Sequence, residues 1–298
     1  MFTKYIFLPG STVEEIYSDL AKLLTGETDR NNLSASCDKS LTRIVATTPA
    51  GWVKLSETAT SGIFQAYHTD GTTKKFVRIG LIRYSTSYFL LALSAIEDVT
   101  ELGVVSNELP SSFSVSFDLD FPATLQGGLF YLSVAESGIF LVLTALKTNW
   151  NPNANAPLNV QNILQAVAEY TREDDWNLPG YPSVCVGSFN SSVFTWVMLK
   201  VKNDLFIDTY STISTTVNTQ SLKPVCNADL KIAVITTDVR VGYTTGAYGI
   251  LGGVLHRIRA CDYGNIGDVL VIENIPYIVI PLRLPSPNAP HNILLPID

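Results

Sequence analysis

Short runs of alternating apolar and polar residues dominate the chain. Segments such as Ile63–His68, Lys74–Ile82 and Gly128–Ala135 are rich in β-branched and aromatic residues and are bounded by turn residues, a pattern typical of strands. Asp70-Gly71 and Glu273-Asn274 lie between consecutive runs and predict tight hairpins. The pattern therefore predicts a mainly β protein built from sandwich-like or barrel-like domains.

Two segments show helical periodicity instead. The first is Ser11–Thr25, where Ser11 is the expected N-cap, Glu14 would complete a capping box and Gly26 is the expected stop. The second is Asn159–Thr171. We expect each helix to pack on a sheet through one apolar face, which in the first helix comprises Val13, Ile16, Tyr17, Leu20, Leu23 and Leu24.

A linker signal divides the chain near its middle. Residues 147–157 contain two prolines and four asparagines, a composition typical of loops. We therefore expect an N-terminal domain over 1–150 with the first helix (11–25), and a C-terminal domain over 151–298 with the second (159–171). The last residues, 284–298, contain four prolines, so we expect an extended tail without regular structure. Its apolar residues predict docking on a neighbour or on its own domain, and the interface candidates among them are Ile293, Leu294 and Leu295.

Composition favours a protein that works in an assembly. Hydrophobic residues make up 46% of the 298 residues and charged residues 16%, against about 25% charged in an average domain. Surfaces poor in charge are common where a protein lies against other proteins. The composition therefore predicts self-association or contacts with other proteins.

Charge and hydropathy argue against two other classes. The net charge is −7, and no run of basic residues is longer than Lys74-Lys75, so direct nucleic-acid binding is not expected. The longest apolar stretches, Tyr88–Ile96 and Gly138–Leu146, are far shorter than the roughly 18 residues that a spanning helix needs. We expect no membrane span and no signal peptide, and synthesis in the cytoplasm.

The residues that carry chemistry form no known catalytic pattern. The three histidines accompany no GxSxG elbow, and the four cysteines form no CxxC pair. We expect no catalytic residue, no metal and no cofactor, and we expect Cys37 to be the most exposed cysteine.

Two alternatives remain open. A glycan- or receptor-binding protein would need exposed aromatic side chains, for which the candidates are Trp52, Trp150 and Trp196. A hydrolase of cell-wall glycan would need paired carboxylates, for which the candidates are Asp118, Asp120, Glu169 and Glu173.

An acidic cluster follows the second predicted helix. Arg172 precedes Glu173, Asp174 and Asp175, and acids at the C-terminal end of a helix oppose its dipole. We interpret the cluster as a turn network in which Arg172 holds the acids. An interface or an ion site is the alternative.

Five segments, in collinear order, resemble a family of tailed-bacteriophage virion structural proteins. They are LAKLLTGETDRNNLSASCDKSLTRIVATTPAGW (Leu20–Trp52), DGTTKKFVR (Asp70–Arg78), GGLFYLSVAESGIFLVL (from Gly127), AEYTREDDWNLPGYPSV (Ala168–Val184) and YGILGGVLHRIRACDYGNIGDVLVIENIPYIVIP (Tyr248–Pro281). The stretch Ala95–Ser106 departs from the family, which commonly has an aromatic or a long Ser/Trp-rich stretch there.

The resemblance implies a non-catalytic component of the neck, collar, tail or capsid surface. Such a protein would contact copies of itself and other virion proteins, and it would reside in the virion after synthesis in the host cytoplasm. The family has no catalytic residues to carry over. The positions that match its motifs, which we interpret as structural, are Trp52, Arg172, Asp174, Asp175, Trp176, Gly180 and Tyr181.

Overall fold

The structure of the protein is a computed structural model. It describes residues 1–47, 49–68, 71–83, 88–110, 119–120, 126–136, 138–146, 160–172, 183–190, 193–199, 213–216, 225–227, 232–235, 240–242, 248–251, 259–261, 269–272, 274–281 and 292–297. Strands dominate this part of the chain and every strand pair in it is antiparallel, which confirms the prediction of a mainly β protein.

The strands form three sheets. The large sheet contains β1 (Phe2–Pro9), β2 (Arg43–Val45), β9 (Gln126–Ala135), β10 (Gly138–Leu146), β11 (Val160–Arg172), β12 (Ser183–Asn190), β13 (Val193–Leu199), β14 (Ile213–Thr216), β17 (Arg240–Gly242) and β18 (Tyr248–Leu251). The N-terminal sheet contains β3 (Val53–Glu57), β4 (Ser61–Tyr67), β5 (Lys74–Arg83), β6 (Tyr88–Val99), β7 (Val105–Pro110) and β8 (Leu119–Asp120). The C-terminal sheet contains β15 (Val225–Asn227), β16 (Ile232–Ile235), β19 (Arg259–Cys261), β20 (Val269–Ile272), β21 (Ile275–Pro281) and β22 (Asn292–Pro296).

Strand order follows mostly local connections. The large sheet runs β14-β13-β12-β11-β10-β9-β1-β2, with β18 joining β11 to β17. The N-terminal sheet is a meander, β3-β4-β5-β6-β7, with β8 beside β6. The C-terminal sheet runs β15-β16-β19-β22-β21-β20, so β20 forms one edge among the strands that the structure describes.

One α-helix, α1 (Val13–Leu24), lies in the described part of the chain, together with a 3-10 turn, η1 (Arg30–Asn32). Thr12, not Ser11, is its N-cap, and its capping-box partner is Glu15, not Glu14. The predicted cap was one residue early because Ser11-Thr12 and Glu14-Glu15 offer the same motif in two registers. Gly26 follows the helix with φ +94°, as expected of its stop signal.

The main core is continuous between the two sheets that flank α1. Tyr5 and Phe7 of β1, Phe64 of β4 and Val77 of β5 belong to one buried cluster with the apolar face of the helix. Both faces of the β1–β9 pair are buried, since Phe2 and Ile6 point away from that cluster and are also covered. The helix therefore fills the space between the large and N-terminal sheets.

The prediction of a second helix over 159–171 is wrong. Val160–Arg172 forms β11, which pairs with β10 from Gly138↔Ala168 to Leu146↔Val160. Pairing with β10 on one side and with β12 on the other outweighs the helical spacing of its apolar residues. The helix assigned to the C-terminal domain is thus a central strand.

The division into domains 1–150 and 151–298 stays a prediction. The large sheet contains strands from both sides of this boundary, because β10 precedes it and β11 follows it. The expected linker, 147–157, lies outside the described residues.

The prediction that the tail lacks regular structure is wrong for its last part. Asn292–Pro296 forms β22, which lies between β19 and β21. The prolines of this segment do not interrupt the strand, because Pro290 precedes it and Pro296 is its final residue. The tail therefore docks on a sheet of its own chain.

Candidate functional site

Asp19 is the centre of a buried polar network that joins the helix to β1. Its carboxylate is fully buried and accepts hydrogen bonds from Tyr5 Oη (2.7 Å), the Ser34 backbone N–H (2.7 Å) and Ser34 Oγ (2.8 Å). Lys22 Nζ lies 3.8 Å from the same carboxylate. Burial, and then the charge of Asp19, raise the pKa of Tyr5 well above its ordinary value, so Tyr5 stays a hydrogen-bond donor.

The segment after η1, which includes the LSASCDK motif, is fixed against the same strand. The Leu8 backbone N–H donates to Ser36 O and the Asp38 N–H donates to Ile6 O, both at 2.8 Å. Ser36 Oγ donates to Glu15 Oε2 at 2.6 Å. This motif therefore holds β1 and α1 together, which is a structural role.

The expectation that Cys37 is exposed is wrong. Cys37 faces Phe7 in an isolated β-bridge, is buried, and its thiol donates to Thr42 Oγ1 at 3.3 Å. Burial raises the pKa of the thiol. A buried thiol with a raised pKa is poorly reactive.

Trp52 is buried and hydrogen-bonded. Its indole Nε1 donates to Ala135 O at 2.8 Å, and Lys75 Nζ lies 5.6 Å from its ring centroid. The ring thus anchors the start of β3 to the β9–β10 hairpin, and it offers no exposed face to a glycan. Of the other two aromatic candidates, Trp196 is on β13 and Trp150 lies outside the described residues.

Most of the acidic cluster also lies outside the described residues. Arg172 is the last residue of β11, opposite Gly249 of β18. Asp174, Asp175, Trp176 and Tyr181 are not described, so the turn network stays a prediction.

The carboxylates considered for a hydrolase are not brought together by any described contact. Asp120 is in β8 and Glu169 is in β11, while Asp118 and Glu173 lie outside the described residues. Within the part of the chain that the structure describes, no group of three His, Cys, Asp or Glu side chains is placed to hold a metal ion. None of its helices has the length and apolar character needed to cross a membrane.

The tail candidates are in the middle of the C-terminal sheet. Ile293 pairs with Ala260 and Ile280, and Leu294 pairs with Arg259 and Val279. Leu295 is fully buried. Leu295 thus serves the protein's own core, and the position of β22 between two strands leaves its backbone no free edge.

Exposed apolar side chains cluster instead at strand edges and at one turn. β3, at one edge of the N-terminal sheet, exposes Val53 (58%) and Leu55 (43%). The β6–β7 turn exposes Leu102 (92%) and Val104 (61%). On the edge strand β20, the exposed side chains are Val269 (48%) and Val271 (60%).

These positions are the best candidates for contacts with other molecules, and the sequence did not single them out. Alternation predicts that a segment is a strand, but it does not tell an edge strand from a central one.

The protein has no match among protein-family models or curated proteins.

Proposed function

We propose that this protein is a non-catalytic structural component of a tailed-phage particle that assembles with copies of itself and with other virion proteins. The observation that carries the assembly role is the set of exposed apolar side chains at β3, β20 and the β6–β7 turn. Edge strands of monomeric proteins are usually blunted or covered, because a free strand edge can pair with another chain.

Composition supports the same proposal. Only 16% of the residues are charged. Few ionic groups would therefore have to lose their hydration when a neighbouring protein binds to the surface. Exposed valine and leucine side chains at an edge add favourable burial once a partner covers them. The assignment to a phage particle rests on the resemblance of the five collinear segments. That resemblance fits a position in the neck, collar, tail or capsid surface equally well.

Two measurements test the proposal. Light scattering of the purified protein over a wide concentration range should give a discrete multiple of 32.5 kDa. Mass spectrometry of particles purified from cells that carry the gene should detect the chain in the particle fraction. A protein that is monomeric throughout and missing from purified particles would contradict the proposal.

A further inference from the structure

The edges of the sheets differ in how well they are protected. β3 contains a bulge between Lys54 and Ser56, and Lys54 is exposed on it. β7 carries Glu108, which accepts two hydrogen bonds from Arg78 at 2.7 and 3.0 Å, and β2 is only three residues long. Bulges, charged side chains and short length are the devices that prevent strand-to-strand association.

β20 has none of these devices except its modest length. Its four residues, VLVI, carry no charge, and their register with β21 is uninterrupted from Val269↔Ile278 to Ile272↔Ile275. Val269 and Val271 lie on one face, next to the buried Ile278. The edge therefore continues a buried apolar face out into solvent.

The backbone of β20 also has hydrogen-bonding groups on its outer side, where no described strand pairs with it. The Pro276 carbonyl accepts a hydrogen bond from the Ile297 N–H at 3.0 Å, so Pro276 directs its polar group away from β20. Pro276 is opposite Val271. The two therefore form a non-hydrogen-bonded pair, in which both residues turn their backbone N–H and C=O groups away from each other. The N–H and C=O of Val271, and by the two-residue period those of Val269, thus point out from the edge.

We propose that β20 pairs antiparallel with β20 of a second copy of this chain, about a two-fold axis centred on Leu270. This inference rests on the proposed function, since it names a surface for the self-assembly proposed there. Val269 of each copy stands opposite Val271 of the other, and the outward groups of both residues complete four backbone hydrogen bonds. The C-terminal sheet then continues from one copy into the next.

Symmetry and charge favour a second copy as the occupant. Under a two-fold axis, every contact between two residues occurs a second time with the two copies exchanged. A register centred on Leu270 meets this condition, because Val269 of each copy lies opposite Val271 of the other. The four residues of β20 carry no charge, so no like charges are opposed across the paired strands. The valines meet valines, a β-branched pair that suits a sheet face.

The first test compares two exposed apolar positions by light scattering. Val271→Lys adds a charge to the proposed interface, and Leu8→Lys adds the same charge at a side chain that is 39% exposed on the central strand β1, away from the exposed edges and the β6–β7 turn. We expect Val271→Lys to halve the mass of the assembly and Leu8→Lys to leave it unchanged. Circular dichroism should show that both variants keep the strand content of the parent protein.

The outcomes separate the two proposals. An assembly that keeps its mass in Val271→Lys would overturn the β20 pairing while self-assembly through another surface stands. A parent protein that is monomeric at every concentration would overturn the pairing too, and detection of the chain in purified particles would then decide the proposed function separately.

A cysteine placed on the axis tests the register. Residues opposite each other in a pair without mutual backbone hydrogen bonds have Cα atoms about 4.5 Å apart, a distance that a disulfide spans. Leu270→Cys should therefore form a covalent dimer under mild oxidation. Val269→Cys, which stands opposite position 271 of the copy, should not.

The parent protein, oxidised in parallel, controls for the native cysteines. Equal cross-linking of the two cysteine variants would overturn the register. Absence of a Leu270→Cys dimer, together with loss of Val271→Lys from particles, would assign β20 to a strand of a different protein and overturn the pairing of copies.

Discussion

The Tyr5–Asp19 hydrogen bond gives the sharpest test of how α1 is held. Tyr5→Phe removes one hydroxyl and leaves the ring, which stacks on Phe130 with centroids 4.5 Å apart. The Tyr5 hydroxyl donates to the fully buried carboxylate of Asp19 at 2.7 Å. The substitution therefore changes one polar contact and almost no packing.

The size of the effect follows from the charge and burial of the acceptor. A hydrogen bond to a charged group contributes about 1.5–3 kcal/mol. Asp19 keeps its two hydrogen bonds from Ser34, so its charge remains partly compensated. We therefore expect Tyr5→Phe to lower the free energy of unfolding by about 2 kcal/mol.

Tyr17→Phe is the matched control. Tyr17 lies on α1 and is as buried as Tyr5, but its hydroxyl has no hydrogen-bond partner among the described residues. Loss of an unsatisfied hydroxyl removes a desolvation cost, so this variant should be neutral or slightly more stable.

Urea denaturation followed by tryptophan fluorescence measures both variants. The loss of unfolding free energy caused by Tyr5→Phe should differ between the parent protein and a Ser34→Ala variant. The reason is that the Tyr5 and Ser34 hydroxyls both donate to the Asp19 carboxylate, so their effects are not additive. Equal losses for Tyr5→Phe and Tyr17→Phe would refute the assignment of a stabilising role to the Asp19 network.

Three further predictions concern the helix and its surroundings. Thr12→Ala removes the N-cap acceptor of the Glu15 N–H and should cost about 1 kcal/mol in urea denaturation, whereas Thr12→Gly should cost only a few tenths; equal costs would contradict the cap. Gly62→Ala would place a methyl carbon in overlap with Tyr17 Oη and 2.8 Å from the Ser56 carbonyl oxygen and should cost about 1–3 kcal/mol, of which adding Tyr17→Phe should recover the part caused by the hydroxyl; no recovery would mean that the hydroxyl contact is not a cause. Hydrogen bonds from Ser36 and then Thr12 lower the pKa of Glu15 from its ordinary 4.5, so its stabilising contribution is present above that pH and is lost as the pH falls through the lowered folded-state pKa. Glu15→Gln should therefore flatten the fall of stability below pH 4.5, and unfolding curves with the same pH dependence as the parent would contradict this.

Local pattern predicted the strands and turns because their signals are contained in a few neighbouring residues. The hairpin predicted at Gly71 is confirmed, since β4 pairs antiparallel with β5 and Gly71 lies between them with φ +70°. Asn274 adopts φ 66° between β20 and β21. Positive φ is the conformation that such tight turns need, and few residue types accept it readily.

The second helix could not be predicted correctly because its sequence fits two periods. In VQNILQAVAEYTR the apolar residues recur at helical spacing, yet Ile163, Val167 and Thr171 also share one face of a strand. Ile163 pairs with Leu143 of β10, and Val167 is buried against the main core. The neighbouring strands decided the outcome, and their positions are not contained in the segment itself.

The same limit applies to the candidate surface. Trp52 and Val271 are both apolar residues in or beside strands, yet one is buried and the other is 60% exposed. Burial of Trp52 depends on the hairpin at Ala135, far away in sequence. Exposure of Val271 follows from strand order, which leaves β20 at an edge.

The place of β1 in the large sheet sets an order of events during translation. Phe2 pairs with Ser133 of β9, so β1 has to wait for roughly 130 further residues after its own synthesis before it can pair with β9. At about 5–20 residues per second this delay is roughly 7–26 s. The C-terminal sheet is completed last among the described sheets, because β22 is inserted between β19 and β21, which are both made before it.

The nascent chain therefore presents α1 before the N-terminal sheet and before β9, whose buried side chains share a core with its apolar face. During that interval the N-terminal sheet, whose strands are sequential neighbours, can form first and cover one side of the helix. A chaperone that binds apolar helical segments would have its longest opportunity on the other side, until β9 emerges and closes the layer.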